Sequence, residues 1–308
     1  TLLPGRSRLR VLWVGTFGRS LARLALPNGG PYTSSRYLES RADPEPLFDQ
    51  ADRPDPDLGA WEEFRSDASS CYNALETEFE TAAVAGLLFR ASYTWSHSID
   101  DATDIFSTSG GSSVAQDELG RVGGLGAERS SSSIDVRHRL AAHFVWDLER
   151  LGYRPLVGFA LSGVVELASG QPYTIVTSID SNVDGVLTDR LKTTAGLVFH
   201  DSGSELVSLL PGTDPQTLIV RARNDRPKTS ALGRNAFRGR GIANVDLALS
   251  RTFEVRGARL ELRLEAFNVF NRPHYGLPVR VLESPGFGSS TETSLPARIV
   301  QVGLRIGF

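Results

Sequence analysis

The 308-residue chain has no methionine and a single cysteine. One Cys excludes a disulfide scaffold and a Cys-based zinc site. Neither charge sign is in excess: 33 Lys+Arg stand against 36 Asp+Glu, a net charge of −3, so there is no basic footprint for nucleic acid. Also missing is any apolar run approaching the ~18 residues of a transmembrane helix. That absence leaves a β-barrel open, because barrels cross the membrane with alternating strands. With 40% hydrophobic and 22% charged residues the chain is not disordered throughout, and its length allows one large or two ordinary domains. The lack of Met together with Thr1 at the start sets the expectation of a mature or truncated chain. Arg8–Phe17 (RLRVLWVGTF) has basic residues before apolar ones, like a secretion signal, but Arg10 interrupts it and its alternation reads as a strand.

Period-2 alternation is what the chain has in abundance. In 87–97, Leu87, Phe89, Ala91, Tyr93 and Trp95 share one face, opposite Leu88, Arg90, Ser92, Thr94 and Ser96. In 258–270, Leu260, Leu262 and Leu264 oppose Arg259, Glu261, Arg263 and Glu265. A helix would spread these charges around its circumference, whereas a strand sets them in one row. The same pattern recurs at 7–15, 69–80, 135–148, 155–168, 241–253 and 297–308, which makes eight strands. Most exceed the ~9–11 residues of a tilted membrane-spanning strand, whereas globular strands run about 5–6. Short links (81–86, 149–154, 254–257) alternate with long ones (16–68, 98–134, 169–240, 271–296). That is the layout of a barrel with short periplasmic turns and long extracellular loops. The long links look irregular, Pro-rich and acidic around Ala42–Asp57 and Gly/Ser-rich around Ser107–Ser133. A soluble sandwich or solenoid with one wet face is the competing reading. Against it stands an outward face that is aliphatic in mid-strand, with Tyr93, Trp95, Trp146 and Phe270 near strand ends, as an interfacial girdle requires. The expected fold is therefore an all-β, antiparallel transmembrane β-barrel segment.

The last residues sharpen this. Gln301, Gly303, Ile306 and the terminal Phe308 resemble the signal by which the barrel-assembly machinery captures the last strand of bacterial outer-membrane barrels. An edge strand is a template for pairing, and closure must finally hide it. Further phrases are family-like: ASYTWSHSIDD (91–101), DVRHR (135–139), SGQPY (169–173), GRNAFRG (233–239), NVDL (244–247) and EAFNVFN (265–271). In this order they resemble the C-terminal barrel portion of TonB-dependent outer-membrane receptors, in the branch bearing an N-terminal carboxypeptidase-regulatory-like domain. The resemblance implies a wall of roughly 22 strands around a plugged lumen, uptake of a bulky nutrient such as a siderophore, glycan or peptide, and energy delivered through TonB. The plug and the TonB-contacting segment have no counterpart among these residues. Eight strands of such a wall carry the wrong curvature for a small closed barrel, so the chain is expected not to act alone. The implied partners are outer-membrane lipid and lipopolysaccharide, the barrel-assembly machinery and the remainder of the receptor, with TonB met only through the missing N-terminal part. Two alternatives are a self-contained small barrel serving as adhesin or anchor, and a soluble secreted carbohydrate-binding β-protein.

Sites are sparse. Asp180, Asn182 and Asp184, with Gly185 at the bend, match the first half of a calcium loop. Leu191 stands where the bidentate Glu is needed, and Asp189 is a substitute oxygen; a plain turn is the simpler reading. Glu261 and Glu265 lie about 13 Å apart on one face, too far for a glycosidase pair, and Arg259 and Arg263 beside them keep both ionised. A lumen wall of neutralising charges fits them better. His97, His138, His143, His200 and His274 are scattered, and His138 and His143 fall on opposite faces. Cys71 reads as a small apolar filler at a strand start. No nucleophile elbow or phosphate loop is present, so no catalytic site and no cofactor are expected. The Arg-rich Gly233–Gly241 is expected either to bind an anionic ligand at the loop mouth or to anchor on lipopolysaccharide phosphates or on acidic loops such as Asp43–Asp57.

Overall fold

A computed structural model describes residues 2–3, 6–25, 55, 57–58, 61, 63–102, 125–178, 190–219 and 232–307. One antiparallel sheet dominates. Its long strands are β1 (Ser7–Ala25), β2 (Glu63–Thr81), β3 (Leu87–Asp100), β4 (His138–Asp147), β5 (Phe159–Ala168), β6 (Ile242–Val255), β7 (Ala258–Phe267) and β8 (Ile299–Gly307). Each is hydrogen-bonded to the next in chain order, so the sheet is a meander without crossovers. Two dipeptides add to it, Leu2–Leu3 beside β1 and Ser130–Ser131 beside β3.

Register places the two alternating sets on two continuous faces. One row runs Phe89, Phe144, Gly163, Leu247, Ala266, Val300 across β3 to β8, and the next Leu87, Trp146, Leu161, Leu249, Leu264, Val302. These rows form the lipid face. The other face carries Arg8, Glu80, Arg90 and His143 in one row and Arg10, Glu78, Ser92, Ala141 and Glu166 in another. That polar face is the lumen side. Among the described residues the sheet is open: β8 pairs with β7 alone, and the outer edge of β1 pairs only with Leu2–Leu3. No helix among them is long and apolar enough to cross a membrane.

Several boundaries differ from the alternation, each for a local reason. The strand expected at 7–15 continues to Ala25, and its partner starts at Glu63 instead of 69. The register shifts between Gly18 and Ala22 break the period-2 signal there. Cys71 is consequently mid-strand, in register with Phe17 and Ile99. At about 3.3 Å per residue, strands of this length project beyond the bilayer on the loop side. Residues 155–158 are not strand. Arg154–Leu156 is a 3-10 turn, and Gly158 follows at φ 75, where a Cβ would sit 2.4 Å from the Thr252 carbonyl oxygen. β4 begins at His138, because Asp135 uses its carboxylate to receive the Ser98 N–H at 2.7 Å. β7 stops at Phe267, because Asn268 turns to φ 48 and donates its N–H to Asp246 Oδ1 at 2.8 Å. At the C-terminal end, β8 starts at Ile299, and Phe308 lies outside the described residues.

The larger correction concerns the long links. Almost all of Ala42–Asp57, and the part of Ser107–Ser133 that precedes Leu125, lie outside the described residues. The described parts of the links 169–241 and 268–298, however, are not irregular. They pack on each other around Tyr173, Ile175, Leu191, Val207, Phe237 and Leu282, which belong to the buried hydrophobic cluster of the described residues. Short pairings hold this lobe together: Leu197–Phe199 with Val207–Leu209, Pro172–Tyr173 with Phe237–Arg238, and a parallel bridge from Val176 to Val281. A membrane wall needs no interior of its own, since lipid covers its apolar rows. The core therefore sits in the loops.

Candidate functional site

Two arrangements of functional side chains stand out, the lumen wall and the base of the loop lobe. On the wall, charges of opposite sign alternate across strands. Arg10 reaches Glu78 at 3.7 Å, Arg90 bridges Glu78 and Glu80 at 3.8 and 3.1 Å, and Arg139 meets Glu166 at 3.0 Å. Nearer the C-terminus Glu265 is held by Arg263 at 2.7 Å and receives the Gln301 amide. All are partly exposed, so each pair contributes little to stability. Together they give a polar surface of near-neutral net charge.

The lobe base is different because its charges are buried. Asp100 ends β3 on the lumen face, where the lobe covers it. Arg234 donates to its carboxylate, to its carbonyl oxygen at 2.7 Å and, through Nε, to the Glu128 carbonyl oxygen at 3.1 Å. Glu128 in turn pairs with Arg190, and both are buried. Beside them Asp135 accepts from Ser98 N, from the Arg238 guanidinium and from Arg137 Nε at 3.4 Å. Burial alone would raise the Asp135 pKa. The Ser98 hydrogen bond and the Arg238 and Arg137 cations outweigh it and hold the carboxyl below its ordinary value. Asn235, at φ 55, donates its N–H to Thr174 Oγ1 at 2.8 Å and its amide to the Ser131 carbonyl oxygen at 2.8 Å. Arg240 donates to the carbonyl oxygens of Asp201, His200 and Glu205 at 2.7, 3.2 and 2.9 Å. Tyr173 packs on Phe237 with ring centroids 5.7 Å apart, and burial pushes its phenol up to about 12.

This corrects the expectation for Gly233–Gly241. Its three arginines are engaged within the protein itself. They bind Asp100, Asp135 and loop carbonyls, so the segment clamps the lobe to the wall. Sequence reasoning missed Asp100, Glu128 and Asp135 as its partners, and Arg190 as the partner of Glu128. The available signal was that Asp100, Asp135 and the Arg234/Arg238 pair each lie in one of the family-like phrases, at 91–101, 135–139 and 233–239.

The other expected positions fall as follows. Asp180, Asn182, Asp184 and Asp189 lie outside the described residues. Gln301 and Gly303 face the lumen opposite Glu265 and Arg263, and Ile306 faces lipid opposite Leu260. Glu261 lies opposite Arg305 and Thr252, on the lumen side with Glu265. Among the histidines, His97 lies 3.2 Å from Ser131 Oγ, His138 stacks on Tyr93 on the lipid face, and His200 meets Ser208 Oγ at 2.7 Å. The His274 ring is buried. Among the described residues no group of three or more His, Cys, Asp or Glu side chains is placed to hold a metal ion. Cys71 Sγ accepts from Asn73 Nδ2 at 3.1 Å.

No curated protein matches the chain. Among solved structures it is similar to the outer membrane transporter YddB from Escherichia coli, at 8% identity and a TM-score of 0.46, over 99% of this chain and 30% of that one. The chain thus spans under a third of that transporter's length. The family model described as an outer membrane beta barrel domain matches residues 1–301. With its lipid-facing rows, polar lumen face and alternating short turns and long loops, the chain belongs to the outer membrane beta barrel domain family, and its place is the bacterial outer membrane.

Proposed function

We propose that the chain is the C-terminal barrel portion of a TonB-dependent receptor, of the branch carrying a carboxypeptidase-regulatory-like domain, for uptake of a bulky nutrient such as a siderophore, glycan or peptide. The observation that carries this reading is an open sheet with a polar lumen face, capped at the loop end by a lobe whose clamp is built from the family-like phrases. An open sheet leaves two rows of unpaired backbone groups in lipid, so in this reading strands beyond the described residues close the wall. The plug and TonB contact belong to those other parts of the receptor. Gln301, Gly303, Ile306 and Phe308 would present β8 to the barrel-assembly machinery, and the loop end would meet lipopolysaccharide. The chemistry asked of the protein is binding and passage, with neither catalysis nor a cofactor.

The alternative is a small closed barrel acting as adhesin or anchor; the family assignment leaves no place for a soluble secreted carbohydrate-binding protein. The two membrane readings separate when the 308 residues are exported alone and their gel migration is compared with and without heating. The receptor reading predicts no heat-modifiable, protease-resistant species from these residues by themselves. A compact heat-modifiable monomer would refute it and establish the small barrel.

A further inference from the structure

Arg251 is out of place by the logic of the sheet. It occupies a lipid-facing position of β6, in register with Phe159 on β5 and Leu262 on β7. The other described side chains on that face of β5 to β8, from Phe159 and Leu161 through Leu249 and Phe253 to Leu262 and Leu304, are uncharged. The nearest carboxylates in sequence and register, Glu254 and Glu261, belong to the lumen side. A bare guanidinium among apolar rows is unfavourable deep in the bilayer and tolerated only near its boundary.

Two features show how the position is tolerated. Arg251 lies four residues before Val255, the end of β6, hence about 10 Å above the short periplasmic turn for a strand tilted ~35–45°. Its guanidinium carbon stands 4.6 Å from the Phe159 ring centre and 4.7 Å from that of Phe253. Phe253 is two residues nearer the turn, and Phe159 is the first residue of its strand. The side chain therefore leans toward the periplasmic boundary, its cation held against two aromatic faces. Ring faces take up the plane of a guanidinium and leave its N–H edge free, and that edge matches the two oxygens of a phosphate diester.

We propose that Arg251, cradled by Phe159 and Phe253, binds the headgroup phosphate of an anionic glycerophospholipid in the periplasmic leaflet. The short turns fix the leaflet, which makes the partner a phospholipid and not lipopolysaccharide. The site anchors this sector of the wall at a set depth.

The test uses the protein extracted in mild detergent from outer membranes of the cells that make it, with bound lipid counted by native mass spectrometry. Exposed to equal amounts of both lipids in mixed micelles, the protein should retain phosphatidylglycerol over phosphatidylcholine by about fivefold, the factor that one basic side chain contributes near an anionic membrane surface. Arg251→Leu, which matches its apolar neighbours and should keep heat-modifiable migration, should remove that preference. Arg251→Lys should keep only part of it. A wild-type protein with no preference for phosphatidylglycerol would overturn the proposal whether or not the variants assemble, and so would Arg251→Leu retaining the wild-type preference.

Discussion

Arg234→Leu is the sharpest perturbation of the loop clamp. Arg234 is 8% exposed and Asp100 5%, so the substitution strips donors from a carboxylate and two carbonyl oxygens that water does not reach. Removing one partner of a buried ion pair costs about 3–5 kcal/mol. If the lobe docks and undocks as a unit, its opening equilibrium should rise by roughly two to nearly four orders of magnitude. Hydrogen exchange reads this directly. Amides tied to the lobe should lose protection, such as Ser98, bonded to Asp135, Asn235, bonded to Thr174, and Leu206, bonded to Gly288. Amides inside the β6–β7 ladder should be unchanged. Adding Asp100→Asn should recover part of the loss, since it removes the stranded charge. A drop in lobe protection worth less than about 1 kcal/mol, the scale of an exposed pair, would refute the clamp.

Three further outcomes follow from the same geometry. Because Asp135 titrates below its ordinary value in the folded lobe, its contribution is fully present above pH 3.8 and is lost as pH falls through the lowered value; loop proteolysis should stay flat from neutrality to about pH 5 and rise only below pH 3.8, whereas release near pH ~6 would contradict the assignment. Gly170→Ala should undo the lobe at a cost of about 3 kcal/mol, because its Cβ would lie 1.8 Å from the Gly239 carbonyl oxygen, while Gly163→Ala meets only the side-chain ends of Phe144 and Leu247 on the lipid face and should stay within about 1 kcal/mol in urea titrations. Glu78→Gln breaks pairs to Arg10 and Arg90 on the open lumen face and should change unfolding free energy by less than about 1 kcal/mol.

Much of the wall is legible in the sequence, since a strand that touches lipid on one side and water on the other writes its faces into alternate residues. Leu260, Leu262 and Leu264 against Glu261, Arg263 and Glu265 needed no structure to be sorted. The alternation fails where other rules govern: at the irregularity between Gly18 and Ala22, and at Asn268, whose positive φ ends a strand that apolar spacing would have carried to Phe270. The lobe was not legible at all. Its core joins Tyr173, Leu191, Val207, Phe237 and Leu282, which share no period and meet only through tertiary packing. The clamp was half legible: an arginine-rich run announces a need for anions, but the burial that makes Asp100 and Asp135 its partners belongs to the folded loops.

Alternate residues of this sheet face lipid and lumen. Spin labels placed singly along β7 in native outer membranes test it most directly. At positions 260, 262 and 264 the labels should relax with dissolved oxygen and be shielded from a water-soluble nickel chelate. At 261, 263 and 265 the preference should reverse. Labels at 260, 262 and 264 that meet the nickel chelate, or that meet neither reagent because protein covers them, would contradict the account.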